Sequence, residues 1–599
     1  MSLQKIQTIP SRGKLLIDFP LHLYVAFMKT FNLSLYFFLF STSIFVISSH
    51  FANPPAPTIY ISVGVPCALA IMAIALKYKQ QTLSVSATEI LVGVFLLFTG
   101  IYGVFSGSIS PEWMSTSCSL LLFYAFSKRT ALNTDWLFIG LVCIGIVQAV
   151  YGLGQYMHWF NNIASPNFRM SGSLDNPAGF AATLSVCFPF SLFLLVKKEL
   201  YWKIIGGLAA LLFVVAIVLS QSRAGVIAII VISAIWAVKA LNPTWLKSWS
   251  NLTKIVGGAA LIITILVGLY FLKKDSADGR LLIWQCSGQM ISDKPLLGHG
   301  VSRFQREYML YQADYFRTHP ASGYAMRADI VKHPFNELVL LLVEHGLVGG
   351  LLFGLLVYLL IREYRKNKQP DTFYAMLCLS GIAVFACFSY PLGYPFVKLM
   401  AVFFAATIMR QEAKTWEIPK GLFSVVKPAV LVIAIVLLAF TGKMFYDEYR
   451  WNAIARRSLA GETKKVMPDY ARLYKTMNRN GLFLYNYGAE LNYINKWDKS
   501  VVVLTECANF YNDIDLQLLL ADNYTQLKQY SKAENCFLLA HQMIPNRFIP
   551  LYRLVLLYKE EGKIQEARRI AEIIVKKQVK VESLDVVTIK AEMRDLLKK

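Results

Sequence analysis

Three stretches of this chain carry residue types that could do chemistry. The first is Ser220-Gln221-Ser222-Arg223-Ala224-Gly225, set between two strongly apolar segments. An arginine at the edge of an apolar helix is costly without a partner, and its planar fork matches two phosphate oxygens at once. Arg223 therefore reads as an anion ligand or, alternatively, as a topology anchor whose head reaches interfacial water. The second is Asp278-Gly279-Arg280-Leu281-Leu282-Ile283-Trp284, in which Arg280 is a second candidate cation or an ordinary surface arginine. This stretch opens a loop, 273–334, that also carries Arg303, Arg306, Arg317, Arg327 and Lys332. Loops of that length inside a compact domain are functional or disordered. Its aromatics (Trp284, Phe304, Tyr308, Tyr311, Tyr315, Phe316, Tyr324) predict an ordered lid able to stack on sugars. The third is Lys332-His333-Pro334-Phe335-Asn336-Glu337-Leu338, followed by Glu344-His345-Gly346. A neutral imidazole at His333 could take a proton from an attacking hydroxyl near neutral pH. Asn336 reads as a ligand or a helix cap, and Glu344 with His345 as a buried structural pair.

Other chemistries lack their signatures. No Asp-x-Asp motif lies in an outer loop, which argues against a metal-dependent glycosyl transfer, and neither a Walker motif nor a G-x-G-x-x-G turn is present. No metal and no cofactor is expected.

The elements that must position these residues are apolar helices. Of 599 residues 56% are hydrophobic and only 16% charged, against roughly a quarter charged in soluble domains. A span needs about 20 apolar residues. That rule predicts an all-α polytopic bundle of about 12–13 transmembrane helices, over 31–49, 58–76, 87–106, 112–127, 135–157, 176–196, 203–220, 222–240, 253–272, 335–361, 373–391, 393–410 and 427–446. With the N-terminal segment 1–30 inside, the inner loops hold Lys77–Lys79, Lys128–Arg129, Lys197–Lys203, Lys239–Lys254, Arg362–Lys368 and Arg410–Lys420, whereas outer loops 50–57 and 107–111 hold no Lys or Arg. The same alternation puts 158–175, the 220–222 turn, 273–334 and the C-terminal domain outside. It also assigns the net charge of +23 to membrane orientation rather than to nucleic acid. No short apolar core with a cleavage site stands in the first 30 residues, so no cleavable signal peptide is expected.

From 447 to 599 the chain turns polar and helical in period. Ala521, Tyr524, Ala533 and Ala540 recur 34 positions later as Val555, Tyr558, Ala567 and Ile574, with Gly562 in the turn. Period 34 with small residues at close-packing positions predicts tetratricopeptide-like repeats stacked as an α-solenoid. Its concave surface allows a protein partner. Cys507 and Cys536 in this domain could pair if it lies outside the cytoplasm.

Taken in order, the motifs resemble the O-antigen ligase and polymerase family (the Wzy-C superfamily). The resemblance rests on Gly172-Ser173-Leu174-Asp175-Asn176-Pro177-Ala178-Gly179-Phe180-Ala181, on Ser220 to Gly225, on Gly279-Arg280 followed by Asp293-Lys294-Pro295-Leu296-Leu297-Gly298-His299-Gly300 and Phe304, and on His333 to Gly349. It implies an enzyme of the bacterial inner membrane that moves a glycan from undecaprenyl diphosphate to an acceptor hydroxyl, inverting and metal-independent. The acceptor would be the lipid A core, a growing glycan or a protein. Arg223 and Arg280 would clamp the diphosphate and His333 would be the base. The same reading assigns Asn176, Asn336 and Arg303 to substrate binding. Phe335 stands where many members place a histidine before the asparagine, so Glu337 and His319 are alternative bases. The non-enzyme alternative is a transporter of the lipid-linked glycan, whose polar residues would sit at mid-membrane depth.

Overall fold

The computed structural model describes residues 21–51, 56–76, 84–161 apart from 109 and 131, 168–241, 274–412 apart from 368, 415–417 and 419–598, with 250 and 253 isolated between. The span expected over 253–272 lies outside the described residues. The other twelve coincide with helices: α1 (Leu21–Phe45), α2 (Ala56–Leu76), α3 (Ala87–Phe105), α4 (Pro111–Arg129), α5 (Thr134–Tyr156), α6 (Pro177–Leu195), α7 (Leu200–Leu219), α8 (Arg223–Leu241), α11 (Glu337–Lys366), α12 (Pro370–Ala386), α13 (Pro395–Ile408) and α14 (Lys420–Arg457). Seven helices among the described residues are long and apolar enough to cross a membrane. α12 and α13 are shorter than an independent span needs. Pro370 and Pro395 fix where they begin, and most of the side chains that follow in both helices are buried in the bundle.

Local chemistry sets the starts. Ser110, Asn133, Asn176 and Asn336 each turn a side-chain oxygen onto a free N–H of the first turn, and Ser86 with Glu89 forms a reciprocal capping box. The core is aromatic. Tyr36, Phe40, Phe138, Phe190, Phe193, Phe403 and Phe404 interlock around α6, whose side chains are buried almost throughout. α3, by contrast, turns Leu97, Ile101, Val104 and Phe105 outward.

Contacts sort the turns into two faces. On one, Lys128 pairs with Glu412, Arg129 with Glu89, Lys197 with Asp135, and the strands Ser84–Ser86 and Thr415–Glu417 pair antiparallel. On the other, Arg303 reaches Ser106, Asn176 reaches Tyr390 and Tyr394, and Tyr60 meets Glu448. The long loop belongs to this second face and is ordered, with two helices, α9 (Lys274–Asp293) and α10 (Arg303–Thr318), and a short turn at Gly323–Met326.

α11 is broken at Gly346, where φ is 60° and ψ −163°. The segment 294–300 threads into the break. Pro295 and Leu296 carbonyls accept from Leu347 and Val348 N–H at 2.9 and 3.1 Å, and His299 and Gly300 N–H donate to Val343 and Glu344 carbonyls at 2.8 and 3.0 Å. A Cβ on Gly346 would stand 2.3 Å from the Leu296 carbonyl oxygen, and one on Gly298 2.6 Å from the Glu344 backbone. These two glycines let the backbones touch, and the inserted segment satisfies the groups that the break frees.

Beyond α14 follow eight helices among the described residues: α15 (Thr463–Met477), α16 (Gly481–Tyr493), α17 (Trp497–Cys507), α18 (Ile514–Gln526), α19 (Tyr530–Met543), α20 (Ile549–Glu560), α21 (Ile564–Lys576) and α22 (Leu584–Lys598). Consecutive helices pack together, and Ala521, Ala533, Ala540 and Ala567 are fully buried between them. Cys507 and Cys536 are both free thiols, and that of Cys507 donates to the Gly481 carbonyl. α19 lies on α10. Ala540, Met543 and Ile544 share one apolar core with Phe304, Tyr308 and Phe316. Gln312 Nε2 donates to the Met543 carbonyl at 2.7 Å, and Asn546 Nδ2 donates to those of Ala325 and Ala328 at 2.9 and 2.8 Å. The C-terminal domain therefore sits on the same face as the long loop.

Candidate functional site

The α7–α8 turn sets Arg223. Gln221 takes a positive φ of 56°, a conformation uncommon for a residue with a Cβ. Ser222 Oγ accepts from Gly225 N–H at 3.3 Å and starts α8. Gly225 has no room for a side chain, since a Cβ there would meet Ile217 at 2.8 Å and Ala181 at 2.9 Å. The Ser-Arg-Ala-Gly motif thus divides into a cap, a cation and two close-packing positions. Arg223, at the first turn, is half-buried.

Arg280 comes from α9 above. Its guanidinium lies 5.4 Å from the centroid of the Phe335 ring. Burial, with the charge of the Arg223 guanidinium adding in the same sense, lowers its pKa to about 10. Arg280 stays a cation at neutral pH. Two like charges held close in a half-buried place favour a shared anion between them.

His333 completes the group. Its ring stacks on Tyr390 with centroids 4.3 Å apart and planes at 20°. Phe335, again at positive φ (52°), meets the edge of the same Tyr390 at 5.7 Å. Tyr390 stacks in turn on Tyr394 at 5.8 Å. Asn176 Nδ2 fixes both phenol oxygens, at 2.9 and 2.5 Å, while its Oδ1 caps α6 through Gly179 N–H at 2.9 Å. From above, Trp284 Nε1 donates to the Pro334 carbonyl at 2.9 Å. Arg280 and His333 are thus carried on one aromatic platform. Burial, with Lys332 adding, lowers the His333 pKa to about 4, so its imidazole is neutral at pH 7 and able to accept a proton. Burial also raises the pKa of Asp175, beside Tyr394.

The remaining predicted residues take other places. The Asn336 amide is used within the protein: Oδ1 accepts from Leu338 and Val339 N–H, and Nδ2 donates to the Cys387 carbonyl at 3.1 Å. Asn176 is spent on the tyrosines and the α6 cap. Arg303 is not brought to Arg280. It is buried and donates to the Ser106 carbonyl at 2.6 Å, with Glu307 at 4.0 Å and His299 bonded to the same Glu307. Of the alternative bases, Glu337 accepts from Leu392 N–H at 3.0 Å and feels the charge of Lys398, and His319 is exposed and stacks on Tyr315. Glu344 and His345 are not a pair: the Glu344 carboxylate accepts from Ser302 and Phe304 N–H at the start of α10, and His345 packs on Phe95.

Tyr390 and Tyr394 were not singled out from the sequence, because hydropathy carries the predicted spans across the 387–394 turn. The signal that could have found them is the repeated Tyr-Pro at 390–391 and 394–395 between two apolar segments. An X-Pro step is extended or turning, and a helix seldom continues through it.

A protein-family model described as O-Antigen ligase matches residues 208–354, the stretch that holds Arg223, Arg280 and His333. Two curated proteins are similar over longer segments. "ComP-specific O-oligosaccharyltransferase" of Acinetobacter baylyi (strain ATCC 33305 / BD413 / ADP1) is 22% identical over 323 residues, covering 50% of this chain and 57% of the relative. "Exopolysaccharide production protein ExoQ" of Rhizobium meliloti (strain 1021) is 26% identical over 278 residues, covering 43% of this chain and 60% of the relative. The chain thus spans somewhat over half the length of these relatives. The matched segment and the apolar helices together support the ligase family and a multi-pass membrane protein.

Proposed function

We propose that this chain is an inverting, metal-independent glycosyltransferase of the bacterial inner membrane. It moves a glycan from an undecaprenyl-diphosphate donor to an acceptor hydroxyl on the periplasmic face, as an O-antigen ligase does. The observation that carries the reading is the aromatic platform of Phe335 and Tyr390, which holds Arg280 and a neutral His333 together, with the charge of Arg223 felt at Arg280.

In this reading the acceptor hydroxyl attacks the anomeric carbon and gives its proton to the His333 imidazole. The bond from that carbon to the diphosphate oxygen breaks on the opposite side, so configuration inverts. The leaving diphosphate gathers charge as the bond breaks, and the two guanidiniums stabilise it there. A bound diphosphate also raises the basicity of His333 from its low resting value, because a nearby anion favours the imidazolium. Tyr390 positions that ring without touching the reacting atoms.

The N-terminus is cytoplasmic and the C-terminal domain periplasmic; its packing on the long loop supports placing the two in one compartment. Its paired helices with buried alanines support the tetratricopeptide-like reading. A protein acceptor is the second reading, supported by that domain and by the similarity to a protein whose name is that of an O-oligosaccharyltransferase.

The test is genetic. Deleting the gene should abolish one glycoconjugate class and accumulate lipid-linked glycan, and R223A, R280A and H333A should each fail to restore it. Restoration by all three would refute the enzyme reading.

A further inference from the structure

The face opposite the candidate site holds a cavity that the proposed reaction does not use. It measures about 320 Å3 and lies between the first turns of α5 and α12 and the end of α13, with Phe138 and Phe193 among its walls. Arg410 lines it. Nε and Nη2 of Arg410 are shielded from solvent and have no hydrogen-bond partner among the described residues. The large majority of buried side-chain donors in folded proteins are paired, and a guanidinium has donors only. Two orphaned donors on one guanidinium mark a place for an acceptor supplied from outside the chain.

The surrounding charges do not supply it. Asp135 is paired with Lys197, Glu412 with Lys128, and Glu363 with Arg362 and Lys366. Asp371 accepts from Thr372 N–H at 2.9 Å. None of these carboxylates pairs with Arg410 among the described residues. The hydroxyl of Thr372 donates to the carbonyl of Gln369, just before α12, and that of Thr407 to the Phe403 carbonyl of its own helix. The N-terminal ends of α5 and α12 also point their positive dipoles toward this region.

We infer that this cavity binds a phosphate group through Arg410, either from a membrane phospholipid headgroup or as free inorganic phosphate. The shared chemistry is a tetrahedral oxyanion able to take both orphaned N–H groups at once. The volume exceeds that of a bare phosphate several-fold, by comparison with about 30 Å3 for one water in the liquid, and leaves room for a substituent.

The full-length protein tests this with two probes. In a maltoside detergent free of phospholipid, its unfolding midpoint is titrated with inorganic phosphate against chloride at matched ionic strength. In the same detergent, the midpoint is titrated with phosphatidylglycerol against a phosphate-free diacylglycerol. The variants are R410Q, and Q411E, which sets a carboxylate in the same cavity and leaves Arg410 in place. The wild type should show a saturable rise with one probe, and both variants should lose at least ten-fold in apparent affinity. A rise with phosphate identifies the free ion, and a rise with phosphatidylglycerol alone identifies the headgroup. No rise with either probe, or an unchanged response in the variants, overturns the inference. If R410Q does not fold, Q411E decides.

Discussion

Arg280 and Arg303 stand 23 positions apart in one loop and look alike in sequence. In the fold they part. Arg303 is buried and satisfied, joining the loop to the α3–α4 turn through Ser106 and lying 4.0 Å from Glu307 of its own helix. Arg280 lies over an aromatic ring, close to a second guanidinium, with its pKa lowered. The residue type says only that a cation is present. Its neighbours decide whether that cation holds the protein together or waits for an anion.

Substitution should separate the two. R280A and R223A should each cost about 10^2 to 10^3 in transfer rate with the unfolding midpoint nearly unchanged. R303A should do the reverse, destabilising by about 1–3 kcal/mol as the Ser106 carbonyl and Glu307 lose their partner, with near-normal turnover by the folded fraction. A loss of turnover in R303A at unchanged stability would erase the contrast.

His333 sharpens the comparison through pH. A buried imidazole lowered to about 4 is neutral from neutral pH down to about 5 and becomes protonated only below that. The kcat/KM profile should stay level from pH 7 to 5 and fall near pH 4, rather than near the ordinary histidine value of about 6.5. An acid limb at 6.5 that H333A removes would contradict the burial. Y390L should lower kcat about ten-fold by freeing the ring that carries His333, as misplacement does elsewhere. Y390F keeps the stack and loses only the phenol's bonds to Asn176 and Tyr394, so it should do less. The smallest effect is expected at the domain contact: N546A removes two hydrogen bonds to the loop, about 1 kcal/mol each, and should show as faster proteolysis near Ala325 and Ala328.

The helices were legible because a span must be long and apolar, and twelve of the predicted segments fall on helices. Arg223, Arg280 and His333 stood out as candidates because charged or titratable groups bordering apolar segments are uncommon without a reason. What the sequence hid was partnership. Nothing in the residue type of Arg303 announces Ser106, nearly 200 positions away, and nothing in Asp293 to Gly300 announces that it fills the break in α11. Hydropathy also hid Tyr390 and Tyr394, since a turn of apolar and aromatic residues scores like the helices it joins. The Asn336 cap was visible as one of two readings, and its bond to Cys387 was not.

The most direct measurement is the release of polyprenyl diphosphate from a polyprenyl-diphosphate glycan by purified protein in nanodiscs, comparing the wild type with the R223A/R280A double variant. The account predicts turnover by the wild type and at least 10^2-fold less by the double variant, with both equally folded. A double variant that releases polyprenyl diphosphate at the wild-type rate would contradict it.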